Sequence, residues 1–283
     1  MIYVLLSVCC SVIVSILLKL ARRYEINIYQ AIGFNYAAAA LLCYWLFKPA
    51  LTNVHPEAPI SIYLTLGFLL PTIFVVMAYS IRYAGIVRTD IAQRLSLIIP
   101  LLAAYLLFNE QFSIVKSGAI TLGLIAVLFS IPWDKNDAES KKSWLFPVSV
   151  FFGFGLIDIL FKQIATYKNI PFTTALFFIF LLALGISSFY LMYSMIFKKM
   201  RITFINLICG LILGLFNFGN IYFYLKAHQE LNTQPSLVFT AMNIGVITLG
   251  SLVGLMIFKE KLSKLNYAGI VMAIVAILII ALN

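Results

Sequence analysis

Ten stretches of continuous apolar residues, parted by short polar breaks, follow one another along the chain. They cover residues 2–20, 28–47, 60–83, 89–108, 114–132, 144–163, 171–196, 203–225, 235–258 and 266–282. A spanning barrel would instead be written in short segments that alternate polar with apolar. Each stretch approaches the roughly 20 residues that carry an α-helix across a bilayer. The pattern predicts an all-α membrane protein with ten transmembrane helices. Pro71 and Pro100 fall inside spans, where neighbouring helices can satisfy the freed carbonyl, so kinks are expected there. Trp133 and Trp144 bracket residues 134–143, DKNDAESKKS, the most hydrophilic part of the chain, as interfacial anchors do.

Composition agrees with this pattern. Of 283 residues, 63% are hydrophobic and 11% charged, and mean hydropathy is +1.03. A water-soluble domain of this size cannot bury so much apolar surface. Little chain remains between the spans, which leaves no room for a separate soluble domain. The first stretch lacks a basic flank before it and a small-residue cleavage site after it, so it reads as a first helix rather than a signal peptide. The net charge of +10 would point a soluble protein toward nucleic acid. Here the basic residues sit in short loops and orient the chain, so no nucleic-acid partner is expected. Fourteen of them follow the odd-numbered spans: Lys19, Arg22, Arg23, Arg82, Arg88, Lys135, Lys141, Lys142, Lys198, Lys199, Arg201, Lys259, Lys261 and Lys264. Five follow the even-numbered ones: Lys48, Lys116, Lys162, Lys168 and Lys226. This bias predicts a multi-pass protein of the inner (plasma) membrane with odd loops in the cytoplasm and both termini outside.

The two ends of the pattern repeat each other. Phe108-Asn109-Glu110-Gln111-Phe112-Ser113 precedes the fifth span, and Phe258-Lys259-Glu260-Lys261-Leu262-Ser263 precedes the tenth. At the same register Ala119 matches Gly269, Ala126 matches Ala276 and Leu128 matches Leu278. The chain then divides into a first five-helix repeat at 1–133, a polar connecting loop at 134–143 and a second five-helix repeat at 144–283. Five is odd, so the second repeat enters the membrane from the opposite side. Such inverted repeats can exchange conformations and open a central site to each side in turn.

With its twice-repeated Glu-centred motif, the chain resembles EamA-type transporters of the drug/metabolite transporter superfamily. The segments that carry the likeness are IIPLLAAYLLFNEQFSIVKSGAITLGLIAVLF and NIGVITLGSLVGLMIFKEKLSKLNYAGIVMAIVAILI. The residue before each Glu, commonly glycine in that family, is Asn109 here and Lys259 in the second copy. The resemblance implies a helical bundle around a central cavity lined by spans one, three, four, six, eight and nine, with spans five and ten at the periphery. It implies a carrier whose substrate class it does not fix: amino acids, sugars, nucleotide derivatives and organic cations all occur.

Candidate site residues are the polar groups that apolar spans retain. Asp158 and Lys162 stand four apart on one helical face. A carboxylate at that depth needs a partner or a watery cavity, so Asp158 is either a substrate-amine or proton-coupling site or one half of an ion pair with Lys162. Asp90 and Arg94 repeat the spacing. Arg94 keeps its proton and suits a carboxylate or phosphate, unless Asp90 claims it. Asn217, Asn220, Tyr222 and Tyr224 on the eighth span, and Asn243 on the ninth, can bind substrate or tie helices together. Glu110 and Glu260, with Pro100, belong to the structural motif, as hydrated interfacial caps or as parts of a gate. Gly210 with Gly214, and Gly250 with Gly254, are spaced for close helix packing.

Cys9, Cys10, Cys43 and Cys209 lack metal-ligand spacing and read as packing residues. His55 and His228 are read as loop residues. No catalytic constellation, phosphate loop or metal cluster is written in the chain, so neither an enzyme nor a cofactor is expected. The expected function is that of a secondary transporter or facilitator of a small organic metabolite, with that solute and membrane lipid as partners. Homodimer formation is left open. A flippase-like carrier of a lipid-linked substrate and a non-transporting scaffold are the alternatives.

Overall fold

The computed structural model describes residues 1–24, 26–49, 58–84, 86–130, 144–197, 199, 201–257 and 263–282. Among these residues all regular structure is helical. The helices are α1 (Ile2–Arg23), α2 (Ile28–Phe47), α3 (Ile60–Ala84), α4 (Ile86–Leu95), α5 (Ile98–Leu106), α6 (Ile114–Ser130), α7 (Leu145–Thr166), α8 (Phe172–Phe197), α9 (Phe204–Glu230), α10 (Pro235–Ile257) and α11 (Lys264–Leu282). Six of them, α2, α3 and α7 to α10, are long and apolar enough to cross a membrane. Shorter apolar runs lie in α1, α4–α5, α6 and α11. The polar connector at 134–143, His55, and Glu260 with its flanking lysines lie outside the described residues.

The fourth stretch departs from expectation: it is two helices, not one kinked helix. The break falls at Ser96 and Leu97, one turn before Pro100. Proline has no N–H to return to the carbonyl four residues back, and its ring crowds that carbonyl. The Ser96 carbonyl instead accepts from the Ile99 N–H at 3.0 Å, a tighter turn that separates α4 from α5. Pro71, by contrast, is buried inside α3, which continues through it.

Local chemistry sets the other ends. Asn27 caps α2, its Oδ1 accepting from the N–H groups of Tyr29 and Gln30. After α5, Asn109 adopts φ 52, in the left-handed region where glycine is easiest and asparagine next. Asparagine is therefore a residue type that suits this turn. The turn returns the Glu110 N–H to the Ala104 carbonyl at 3.0 Å.

Helices pack mainly across the two halves of the chain. α2 lies against α8 and α9, α3 against α7 and α8, α1 against α9 and α10, α4 against α7, and α6 against α11. One large buried cluster runs from Val4 through Tyr36, Leu66 and Phe180 to Phe239. A smaller one joins Ala126, Ile244, Ala273 and Ala276 where α6 and α11 meet α10. Glycine permits the closest approach: a Cβ on Gly214 would stand 2.5 Å from the Asn35 carbonyl oxygen, and one on Gly210 3.0 Å from that of Ala31. Gly250 corrects the packing expectation, since a Cβ there meets nothing within 4 Å. Gly254 is buried.

Candidate functional site

The break between α4 and α5 opens beside a cavity of about 210 Å³. Helices α1, α3, α4, α7, α9 and α10 line it. Its apolar wall comes from Leu70, Ile73 and Phe74 of α3, Phe154, Ile157 and Phe161 of α7, and Met242 and Val246 of α10. Set into that wall are Asp158 of α7, Arg94 and Gln93 of α4, Asn217, Asn220 and Tyr224 of α9, and Asn243 of α10. Ser11 and Ser15 of α1 complete the polar lining, with Ser96 at the break.

Asp158 does not pair with Lys162. Its Oδ1 accepts a hydrogen bond of 2.9 Å from the Tyr224 hydroxyl. Tyr224 is buried and wedged edge-on between the rings of Phe161 and His228, which fixes its hydroxyl toward the carboxylate. Asn217 is also buried, and its Nδ2 has no hydrogen-bond partner. Asn220 is held in place because Ser7 donates to its Oδ1 at 2.8 Å. Asn243 donates to the Phe239 carbonyl one turn back, at 3.0 Å.

Lys162 turns away from the cavity. It is 2% exposed, its Nζ donates to the Asn232 carbonyl in the α9–α10 turn at 2.8 Å, and it stands over the Phe108 ring. Tyr222 also leaves the cavity and stacks among Phe47, Phe172 and Phe218. It lies two residues from Tyr224 on the same helix, and helical periodicity separates their faces. Asp90 belongs to α4, but its side chain is outside the described residues.

Glu110 is a correction of a different kind. An interfacial, hydrated carboxylate was expected; the residue is 5% exposed. It forms a buried ion pair with Lys116. It also accepts from the Ser236 N–H at 2.9 Å and from the Ser236 hydroxyl at 2.6 Å. Ser236 opens α10, so the carboxylate faces the positive end of that helix. Lys116 also stands over the Phe112 ring. The FNEQF linker thus places one aromatic ring against each of two buried lysines. His228 corrects the loop reading: it is wholly buried in the last turn of α9, between Tyr224 and Phe239, and neither ring nitrogen has a hydrogen-bond partner.

A second polar cluster fastens the turn between α1 and α2 to the start of α9. Gln30 donates to the Arg201 carbonyl at 2.8 Å and accepts from Asn206 at 2.8 Å. Cys43 is buried, whereas Cys9 is exposed. Among the described residues no three His, Cys, Asp or Glu side chains gather as metal ligands.

Residue type alone does not select Tyr224 over Tyr222, or add Ser11, Ser15 and Gln93. Small hydroxyls and amides on apolar helices are too common to stand out. The one available signal was register: Tyr224 lies on the same helical face as Asn217, seven residues before it.

Fold and site together define an all-helical protein with at least six helices fit to cross a membrane and a small, partly open cavity lined by an acid and a cationic side chain. A crystal structure of another protein superposes on 99% of this chain and 96% of its own, with a TM-score of 0.73 at 11% sequence identity. That likeness is one of fold. No protein-family profile matches the chain. An uncharacterized protein of Haemophilus influenzae is 43% identical over 279 residues, covering 96% of this chain and 94% of its own. The chain belongs to the same family as that protein.

Proposed function

We propose that the protein is a secondary carrier of a small organic metabolite, built as ten spans in two inverted five-helix repeats of EamA type and residing in the inner membrane. The observation that carries this reading is the cavity itself. Helices from both halves of the chain line it, and it holds Asp158, Asn217 and Asn220 near the middle of apolar helices, with Arg94 at the end of the more polar α4. Retaining such groups there is costly unless they serve a solute path or pair with one another. Asp158, held by a neutral tyrosine rather than by Lys162, is the group that most needs such a use.

The packing supports two exchangeable halves. Replacing each helix by its counterpart, with α1 for α7, α2 for α8, α3 for α9, α4–α5 for α10 and α6 for α11, turns the α2–α9 contact into α8–α3. It turns α1–α9 into α7–α3 and α1–α10 into α7–α4. Carriers of this kind work by rocking one half against the other around a fixed central site. The cavity is also smaller than the about 300–1,000 Å³ typical for drug-sized ligands, which favours a small metabolite over a lipid-linked substrate.

The test is exchange of radiolabelled solutes into proteoliposomes by the purified full-length chain. Exchange of a small solute that Asp158→Asn lowers by about 10- to 100-fold is the expected result. A folded protein that exchanges none of a panel of amino acids, sugars, nucleotides, organic cations and polyamines would end the carrier reading. For orientation, impermeant thiol reagents are expected to label cysteines introduced at 53 and 167 from outside, but not one at 139. The reverse pattern would invert the topology. The burial of Lys116 and Lys162 removes two of the five basic residues from the even-numbered loops, which strengthens the charge bias behind this expectation.

A further inference from the structure

Exposure along the helices that line the cavity changes in one direction. On α7, Asp158 is half-buried, whereas Phe161 and Lys162, one turn on, are buried. On α9, Asn220 is half-buried, whereas Tyr224 and His228 are buried. On α10, Asn243 and Val246 are half-buried, whereas every residue from Pro235 to Ala241 is buried. On α1, Ser15 is exposed, Ser11 half-buried and Ser7 buried. All four helices therefore close toward the turn between α9 and α10. One turn beyond the cavity lies a sealing layer: Lys162 after Asp158, His228 after Tyr224, and Phe239 before Asn243. Two polar ties hold this layer shut. Lys162 of α7 donates to the Asn232 carbonyl in the turn. Glu110, in the linker from α5 to α6, accepts from the N–H and the hydroxyl of Ser236 at the start of α10. The layer itself is not saturated. Both ring nitrogens of His228 and the Thr240 hydroxyl are buried without a hydrogen-bond partner. Burial without a partner is costly, and water relieves that cost when the layer parts. Strong ties and unsatisfied groups side by side are what a two-state element requires.

We propose that the turn between α9 and α10 is a gate over the cavity, latched in this structure by Glu110 and Lys162. The inference rests on the carrier reading and specifies which end of the solute path is shut. Release of Ser236 and Asn232 frees the turn and the first turns of α10 to move off the linker. His228 and Tyr224 then meet water, and Asp158 behind them becomes reachable from that end. The cavity opens there as it closes toward α4, as the rocking of two halves requires. Bonds made in one state alone set the population of that state, so weakening the latch moves the protein toward the other.

The test uses the full-length protein in right-side-out and inverted membrane vesicles, with its four cysteines replaced by alanine. A single cysteine at Met242, in the cavity lining, reports access by a small impermeant thiol reagent from each side. A single cysteine at 167, just after α7, identifies the side on which the latch lies. With the latch intact, Met242→Cys is expected to react from the opposite side. Adding Glu110→Gln is expected to raise its rate from the latch side by about tenfold or more, and to lower it from the other. Should Glu110→Gln not fold, Lys162→Met carries the same comparison. Rates that stay unchanged, or that rise from both sides together, make the cluster a fixed fastening and overturn the proposal. So does reaction from the latch side while the latch is intact. Any of these results with solute exchange still present leaves the carrier reading standing. The carrier reading fails separately, when the folded protein exchanges nothing.

Discussion

Among the described residues, two carboxylates set into the helical bundle, those of Glu110 and Asp158, differ in their surroundings. Glu110, in the linker between α5 and α6, has its needs met: an ammonium, a backbone N–H and a hydroxyl converge on it. Asp158, on α7, holds a single tyrosine hydroxyl and faces a cavity. The first joins parts of the chain that must not separate within one state. The second has capacity left for a molecule that comes and goes. Saturation by protein partners thus distinguishes a structural acid from one suited to a ligand, where burial alone does not.

The comparison breaks most visibly at Glu110. Glu110→Ala strands Lys116 in a buried site, and removing one partner of such a pair costs about 3–5 kcal/mol. A large fall in thermal midpoint in detergent is expected, and an unchanged midpoint would mean that the linker is not a fastening. Asp158→Asn should do the reverse. Exchange in proteoliposomes should drop by about 10- to 100-fold, the worth of one hydrogen bond to a charged group, while the midpoint barely moves. Equal losses of stability in the two variants would erase the distinction. Tyr224→Phe sharpens it: exchange is expected to fall by about tenfold or less, because the Asp158 carboxyl is retained but loses the hydroxyl that orients it. Ser236→Ala is the mildest. Its N–H still reaches Glu110, so a loss of about 1 kcal/mol is expected, read as a shift of a few degrees.

Much of this arrangement is legible in the sequence, and the limits have physical causes. Nine of the ten apolar stretches coincide with single helices because continuous hydrophobicity of that length has few other solutions. The fourth divides because Pro100 acts one turn back along the chain, on a carbonyl that is itself unremarkable in the sequence. Asp158, Arg94, Asn217, Asn220 and Asn243 share one cavity, and their polarity within apolar runs marks them in advance. Their partners are another matter. The four-residue spacing of Asp158 and Lys162 allows an ion pair, yet tertiary packing offers Lys162 the Asn232 carbonyl and Asp158 the Tyr224 hydroxyl. Glu110 was misjudged for the same reason, since Ser236 lies 126 residues away. No local pattern announces a bond of that span.

That span bears on how the protein is made. A ribosome adding about 5–20 residues per second needs on the order of ten seconds to travel from Glu110 to Ser236. Throughout that interval the linker has Lys116 as its partner from its own half, and the start of α10 does not yet exist. The bond to Ser236 therefore forms only after most of the second half has been synthesised. The closing of Glu110 onto the start of α10 is thus a late event in the making of the chain, available only once both halves are present.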